Sequence, residues 1–294
     1  MNETNYIEFK KKRELGSILS DTFAFLRNQF KPFFSIFFRI VGPYLLVMLL
    51  SYGFYMYTVG DFVNFNIERS DSVANTFLIL LVAVLLIFSV IAVYVISQAT
   101  TLFYIRSYAN NKGKADYAEI RKEVYQSFWN FIGLGILVGL SVGIGFMFCF
   151  IPGIYLYVPL MLSFSVMVFN QKGVTDAYSY SFTLVKDHWW MTFASLFVVG
   201  IIVTVASYAF ALPSTLYTWM KMGIISGEVD PVSLDGNFFD PISILLGMLS
   251  TLAQFLLNII SVVAGVLIYF DLNEKKNFTG TYERIQNLGE SAEN

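Results

Sequence analysis

Phe77-Leu78-Ile79-Leu80-Leu81-Val82-Ala83-Val84-Leu85-Leu86-Ile87-Phe88-Ser89-Val90-Ile91-Ala92-Val93-Tyr94-Val95-Ile96 is apolar on every side of a helix and sits inside a charge-free run from 72 to 105. About 20 such residues carry an α-helix across the hydrocarbon core of a bilayer. A transmembrane β-strand would instead alternate apolar and polar positions over about 10 residues. Further charge-free runs at 129–170, 189–220 and 241–270 clear the same length. The run 129–170 clears it twice, with Pro152-Gly153 supplying the turn. The expected fold class is therefore an all-α polytopic membrane protein with six transmembrane helices, near 33–58, 74–104, 129–150, 153–170, 189–212 and 241–270. The third and fourth could also form a re-entrant pair. Only 14% of residues are charged, against about 25% in an ordinary soluble domain.

The basic residues partition across these spans. Sixteen Lys/Arg fall on the side of the termini, Arg69 and Lys221 on the other, and Arg39 inside a span. The opposite side holds Asp61, Glu68, Asp71, Glu228, Asp230, Asp235 and Asp240. Lys/Arg excess in short loops marks the cytoplasmic face. Both termini are thus expected in the cytoplasm, loops 59–73 and 213–240 outside, and the chain in a bacterial cytoplasmic (inner) membrane as a multi-pass protein. The first thirteen residues are polar and end in Lys10-Lys11-Lys12-Arg13, and no short apolar region with a small-residue cleavage site follows, so the first span is expected to serve as an uncleaved anchor.

Two stretches outside the spans share one pattern. Leu15, Ile18, Leu19, Thr22, Phe23, Leu26 and Phe30 form a helical stripe, and Val174, Ala177, Tyr178, Ser181, Phe182, Val185 and Trp189 repeat its offsets. A weaker middle copy has Tyr117, Ile120, Val124 and Phe128. Amphipathic helices with basic and aromatic residues lie at the lipid–water boundary. The chain is accordingly expected to be one integral membrane domain of three repeats, each a cytoplasmic in-plane amphipathic helix plus a hairpin. Their bounds are about 14–104, 115–170 and 173–270, with 271–294 left as a flexible cytoplasmic tail.

Within the spans, Gly135, Gly139 and Gly143 stand four apart, a spacing that lets a neighbouring backbone approach closely. Their expected use is packing within the chain, with a homo-oligomer face as the alternative. Ser250, Gln254 and Asn258, followed by Ser261, place a polar stripe on the last span. Such groups bond neighbouring helices or line a solute path. Arg39 can snorkel to the headgroups, and Lys186, Trp189 and Trp190 stand at a span entrance, so these four are the candidate lipid-headgroup contacts. Cys149 is the sole cysteine and His188 the sole histidine, which excludes an intrachain disulfide and a Cys- or His-rich metal site. The acids of 221–240 lack the alternating spacing of a calcium loop. No cofactor motif is present, and no feature supports nucleic-acid binding.

Ile151-Pro152-Gly153-Ile154, the span that follows, Asp176-Ala177-Tyr178-Ser179-Tyr180-Ser181-Phe182-Thr183-Leu184-Val185-Lys186 and Trp189-Trp190-Met191-Thr192-Phe193 resemble a family pattern. It is that of the bacterial membrane domain fused to some glycerophosphodiester phosphodiesterases, and of its stand-alone six-span relatives. The resemblance covers about 150–195 and implies a membrane-embedded anchoring or accessory domain with no catalytic residues to carry over. No Asp or Glu lies inside a span, which argues against a proton-coupled carrier. The expectation is a non-catalytic accessory or scaffold subunit, not an enzyme, whose partners are the phospholipid bilayer and other membrane proteins. The alternative is a transporter or channel for a lipid or small solute.

Overall fold

The structure, a computed structural model, describes residues 7–63, 73–221, 223–224 and 241–292. Its elements are α1 (Leu15–Asn28), α2 (Phe30–Val63), α3 (Val73–Asn110), α4 (Tyr117–Phe148), α5 (Phe150–Met161), α6 (Ser163–Phe169), α7 (Val174–Val185), a 3₁₀ turn (Lys186–His188), α8 (Trp189–Lys221), α9 (Pro241–Asn277) and α10 (Thr279–Ala292). Six helical stretches are long and apolar enough to cross a membrane: Phe30–Thr58, Thr76–Asn110, Tyr117–Phe148, Phe150–Phe169, Val174–Lys221 and Pro241–Asn277. No strand occurs among the described residues. The chain is a multi-pass helical membrane protein. Positions 225–240 and 64–72, which hold most of the acidic loop residues, lie outside the described residues.

Three boundaries differ from the sequence expectation. The middle amphipathic segment is not a separate element: α4 runs unbroken from Tyr117 through Trp129 to Phe148. Asp116 caps it by accepting from Ala118 N–H at 2.9 Å, and no Gly or Pro interrupts 117–132 to stop the helix. The hairpin turn falls at Cys149, an extended residue, and not at Pro152-Gly153. Pro152 sits in the first turn of α5, where its missing N–H costs nothing. Finally, the expected tail is helical. α9 continues to Asn277, and α10 follows a single left-handed residue, Phe278 (φ 53°).

The residues group into two compact units, one of Met1–Ile40, Val95–Ile201 and Ile259–Asn294, the other of Val41–Tyr94 and Ile202–Asn258. The first has an aromatic core. Phe25 meets Phe9 (5.4 Å) and Tyr108 (5.3 Å) edge-on, and Phe33 meets Tyr104 at 5.0 Å. Edge-to-face contact suits the ring quadrupoles, and each phenol keeps a polar partner, Ile7 N–H for Tyr108 and the Gln29 carbonyl for Tyr104. α1 buries Ile18, Thr22 and Phe25, and α7 buries Ala177, Ser181, Leu184 and Val185. Phe23 and Phe30, members of the expected stripe of α1, are exposed, so its buried face is turned toward Phe25.

Around this core a charged knot joins both ends of the chain. Arg13 is buried; its backbone N–H donates to Asp271 Oδ1 (2.7 Å) and its Nε to Asp21 Oδ2 (2.9 Å). Its Nη1 donates to the carbonyls of Phe9 and Lys11, and its Nη2 to that of Glu8. Asp271 also receives Lys275 Nζ at 2.6 Å. Glu274 caps α10 by accepting from Gly280 N–H (2.7 Å), Thr281 N–H (3.0 Å) and the Thr281 hydroxyl (2.6 Å). Lys10 pairs with Glu283, and Arg284 with Glu8. Glycine is required at 280, because a Cβ there would lie 2.2 Å from the Lys10 carbonyl oxygen.

The second unit is held by close helix approaches. A Cβ on Gly247 of α9 would meet Tyr52 Oη of α2 at 2.6 Å, and one on Gly53 would meet Met248 Cε at 2.1 Å. Small residues at such points let helices pack where no hydrophobic effect drives them together. The remaining faces, such as Leu80, Leu81, Leu85, Ile87 and Phe88 of α3, are exposed and suited to lipid.

Two outcomes follow from the knot. Burial raises the Asp21 carboxyl, but the hydrogen bonds and charges of Arg13 and Lys11 outweigh it and hold the group below its ordinary value. Its stabilisation is therefore complete above about pH 5 and is lost as pH falls through that lowered value. Thermal unfolding in detergent should show Asp21→Asn less stable than wild type at pH 7, with the gap closing at acid pH. Gly280→Ala should cost about 1–3 kcal/mol by overpacking. It should speed tryptic cleavage at Lys10–Lys12 by about 5- to 150-fold.

Candidate functional site

The α4–α5 hairpin and the entry to α8 come together at one place. Gly145 and Gly153 face each other across the hairpin; a Cβ on Gly145 would lie 3.0 Å from Gly153 Cα, and one on Gly153 would strike the Phe146 ring at 2.5 Å. α5 then contains Pro159, which has no N–H to give to the carbonyl of Tyr155 four residues earlier. Trp189 takes its place: its indole N–H donates to Tyr155 O at 3.3 Å. The Trp189 ring stacks on Tyr155 (5.6 Å) and on Phe193 (5.4 Å, planes 4° apart), and Trp190 meets it edge-on at 4.8 Å.

Beside these rings opens a cleft of about 740 Å³. Ile151, Ile154 and Tyr155 of α5 line it together with Met191 and Phe193 of α8 and the polar Lys186, Asp187 and His188 of the 3₁₀ turn. Lys186, Asp187 and His188 are all exposed. The lining is mostly apolar and aromatic, with three polar side chains exposed. Lys186, Trp189 and Trp190, expected as headgroup contacts, thus share one cleft. Arg39 is elsewhere, exposed on α2 with its guanidinium 5.9 Å from the Tyr117 ring at the start of α4.

The other expected sites lie elsewhere in the chain. Gly135, Gly139 and Gly143 face open space, with nothing from the rest of the described chain within 4 Å of a Cβ. The close approach expected on this helix is made by Gly145 instead. Of the α9 stripe, Ser250 is buried and donates to Phe210 O of α8 at 3.0 Å, Gln254 is exposed and Asn258 half-buried. Ser250 is a bond between helices, and the three side chains do not share one environment. Tyr178, expected on the lipid side of α7, donates to Ser141 in mid-α4 at 2.9 Å. No group of three or more His, Cys, Asp or Glu placed to hold a metal is found among the described residues.

The sequence pattern alone does not single out the buried residues Arg13, Asp271 and Glu274. A usable signal was there. Asp271 and Glu274 stand four residues after Leu267 and Phe270, the helical spacing that sets them directly beyond the last apolar residues of the span. Compared with known proteins, the chain matches no protein family, no curated protein and no solved structure.

The geometry makes two comparisons measurable. In the isolated chain Gly139→Leu should change stability by less than about 0.5 kcal/mol, whereas Gly145→Leu should cost about 1–3 kcal/mol. Trp189→Phe should cost about 1 kcal/mol by leaving Tyr155 O without a donor. In a Pro159→Ala background, where residue 159 regains its N–H, that cost should shrink, as a double-mutant cycle on unfolding would report.

Proposed function

We propose that the chain is a non-catalytic accessory or scaffold subunit of a bacterial cytoplasmic-membrane complex, with both termini cytoplasmic. One observation carries this reading. The charged side chains buried among the described residues, Arg13, Asp271 and Glu274, are all bonded to other segments of this same chain. Burying charge is costly unless it is paired, and here the pairing goes into fixing the two ends of the chain together. A carrier or an enzyme keeps such groups at a cavity, for substrate. The exposed apolar faces of α3, α4 and α8 remain for lipid and neighbouring membrane helices.

The repeat organisation belongs to the same reading. Counted from Leu15, Tyr117 and Val174, the residues at offsets 3 and 7 are buried in all three copies: Ile18 and Thr22, Ile120 and Val124, Ala177 and Ser181. Equal register of the buried face supports three copies of one unit, the middle one continuous with the apolar part of α4. α1 and α7 are the in-plane helices of the first and third.

Purification from native-level expression in mild detergent, followed by mass spectrometry, tests the proposal. Other membrane proteins should be recovered in stoichiometric amount. Recovery of the chain alone with tightly bound lipid would sink the scaffold reading in favour of lipid transport.

A further inference from the structure

We infer that the α4–α5 hairpin does not cross the bilayer. It enters and leaves by the face that carries Lys172, Lys186 and Lys276, and seats its tip, Phe146 to Ile151, among the phospholipid acyl chains of that leaflet. The inference is independent of the scaffold reading.

The first step concerns α7. It has 12 residues, about 18 Å of helix, and the 3₁₀ turn adds about 6 Å. That falls short of the roughly 30 Å of hydrocarbon. Both its ends are also tied to one short stretch of α9. Asn170, just before it, accepts from the Tyr269 hydroxyl, and Lys276 Nζ donates to Thr183 O near its other end at 2.6 Å. Those two anchors on α9 are about 10 Å apart along its axis. Lys172 and the exposed Lys186-Asp187-His188 therefore stand at the same water boundary.

The second step places the tip. Tyr155 is stacked on Trp189 and accepts its indole N–H, so the second turn of α5 lies beside the first residue of α8. Cys149, the turn of the hairpin, is six residues earlier, about 9 Å of helix. A tip within about 10 Å of the Lys186 boundary cannot lie on the far side of the hydrocarbon. Nor is it built for water. Met147 (88% exposed), Phe148 (85%), Phe150 (74%) and Ile151 (75%) project from it with no charged residue among them. A turn emerging on the far face would carry polar side chains; the apolar cover that fits this one is lipid. The cleft between hairpin and α8 then opens where acyl chain gives way to headgroup.

Cys149 is the only cysteine and is exposed, so the native chain carries its own probe. The full chain, labelled there with bimane, is reconstituted into phosphatidylethanolamine/phosphatidylglycerol vesicles and sorted for uniform orientation by an N-terminal tag. Nitroxide lipid is then introduced into one leaflet at a time. Quenching at least about threefold stronger from the leaflet on the N-terminal side is expected. Equal quenching, or stronger quenching from the opposite leaflet, overturns the inference. An unlabelled control keeps the test independent of the dye and rests on the cytoplasmic termini proposed above: in intact spheroplasts a membrane-impermeant maleimide should leave Cys149 unmodified, and modification from outside, with an N-terminal tag shown to be inside, contradicts the proposal.

Discussion

A guanidinium withdrawn from water must have its donors met, and Arg13 meets them with Asp21 and the carbonyls of Glu8, Phe9 and Lys11. Its amide adds a bond to Asp271 at the end of α9. Charge-assisted bonds of this kind are short and directional, and leaving one partner behind costs about 3–5 kcal/mol. The segment before α1 is thereby fixed against the last turns of α9. From there Glu274 organises the start of α10, which returns to Lys10 and Glu8 through Glu283 and Arg284. Phe9, held next to Arg13, fills the space between Phe25, Tyr108 and Phe270. The polar knot and the aromatic core of the first unit are thus one arrangement.

The hydrocarbon constraint accounts for what was legible in the sequence. A helix that crosses lipid must be apolar for about 20 residues, so all six long stretches could be located from composition alone. Their junctions obey other physics. Whether residues 117–148 make one helix or two depends on the absence of a breaker at 128–129, which a hydrophobic stripe does not report. The segment after 270 reads as a tail because it is polar. Polarity there is buried and bonded, as Asp271, Asn273 and Glu274 show.

The candidate site was legible in its parts and not in its assembly. Lys186, Trp189 and Trp190 could be named from an aromatic-basic entrance. That Trp189 serves a carbonyl orphaned by Pro159 required knowing that α5 and α8 start side by side. The glycines divide for a related reason. Regular spacing at 135, 139 and 143 marks a smooth helix face, but a smooth face is not thereby a covered one, and the covered glycine is Gly145, opposite Gly153. On α9 the polar stripe is real as a pattern, yet Ser250 bonds α8 while Gln254 is exposed.

Hydrogen exchange in lipid nanodiscs tests most directly the claim that the knot fixes both ends of the chain. Amides of 8–14 and 274–284 should be protected in the wild type. Asp271→Asn should release both segments together and leave those of 77–90 in α3 unchanged. Rapid exchange of 8–14 in the wild type, or release of one segment without the other, would contradict the account.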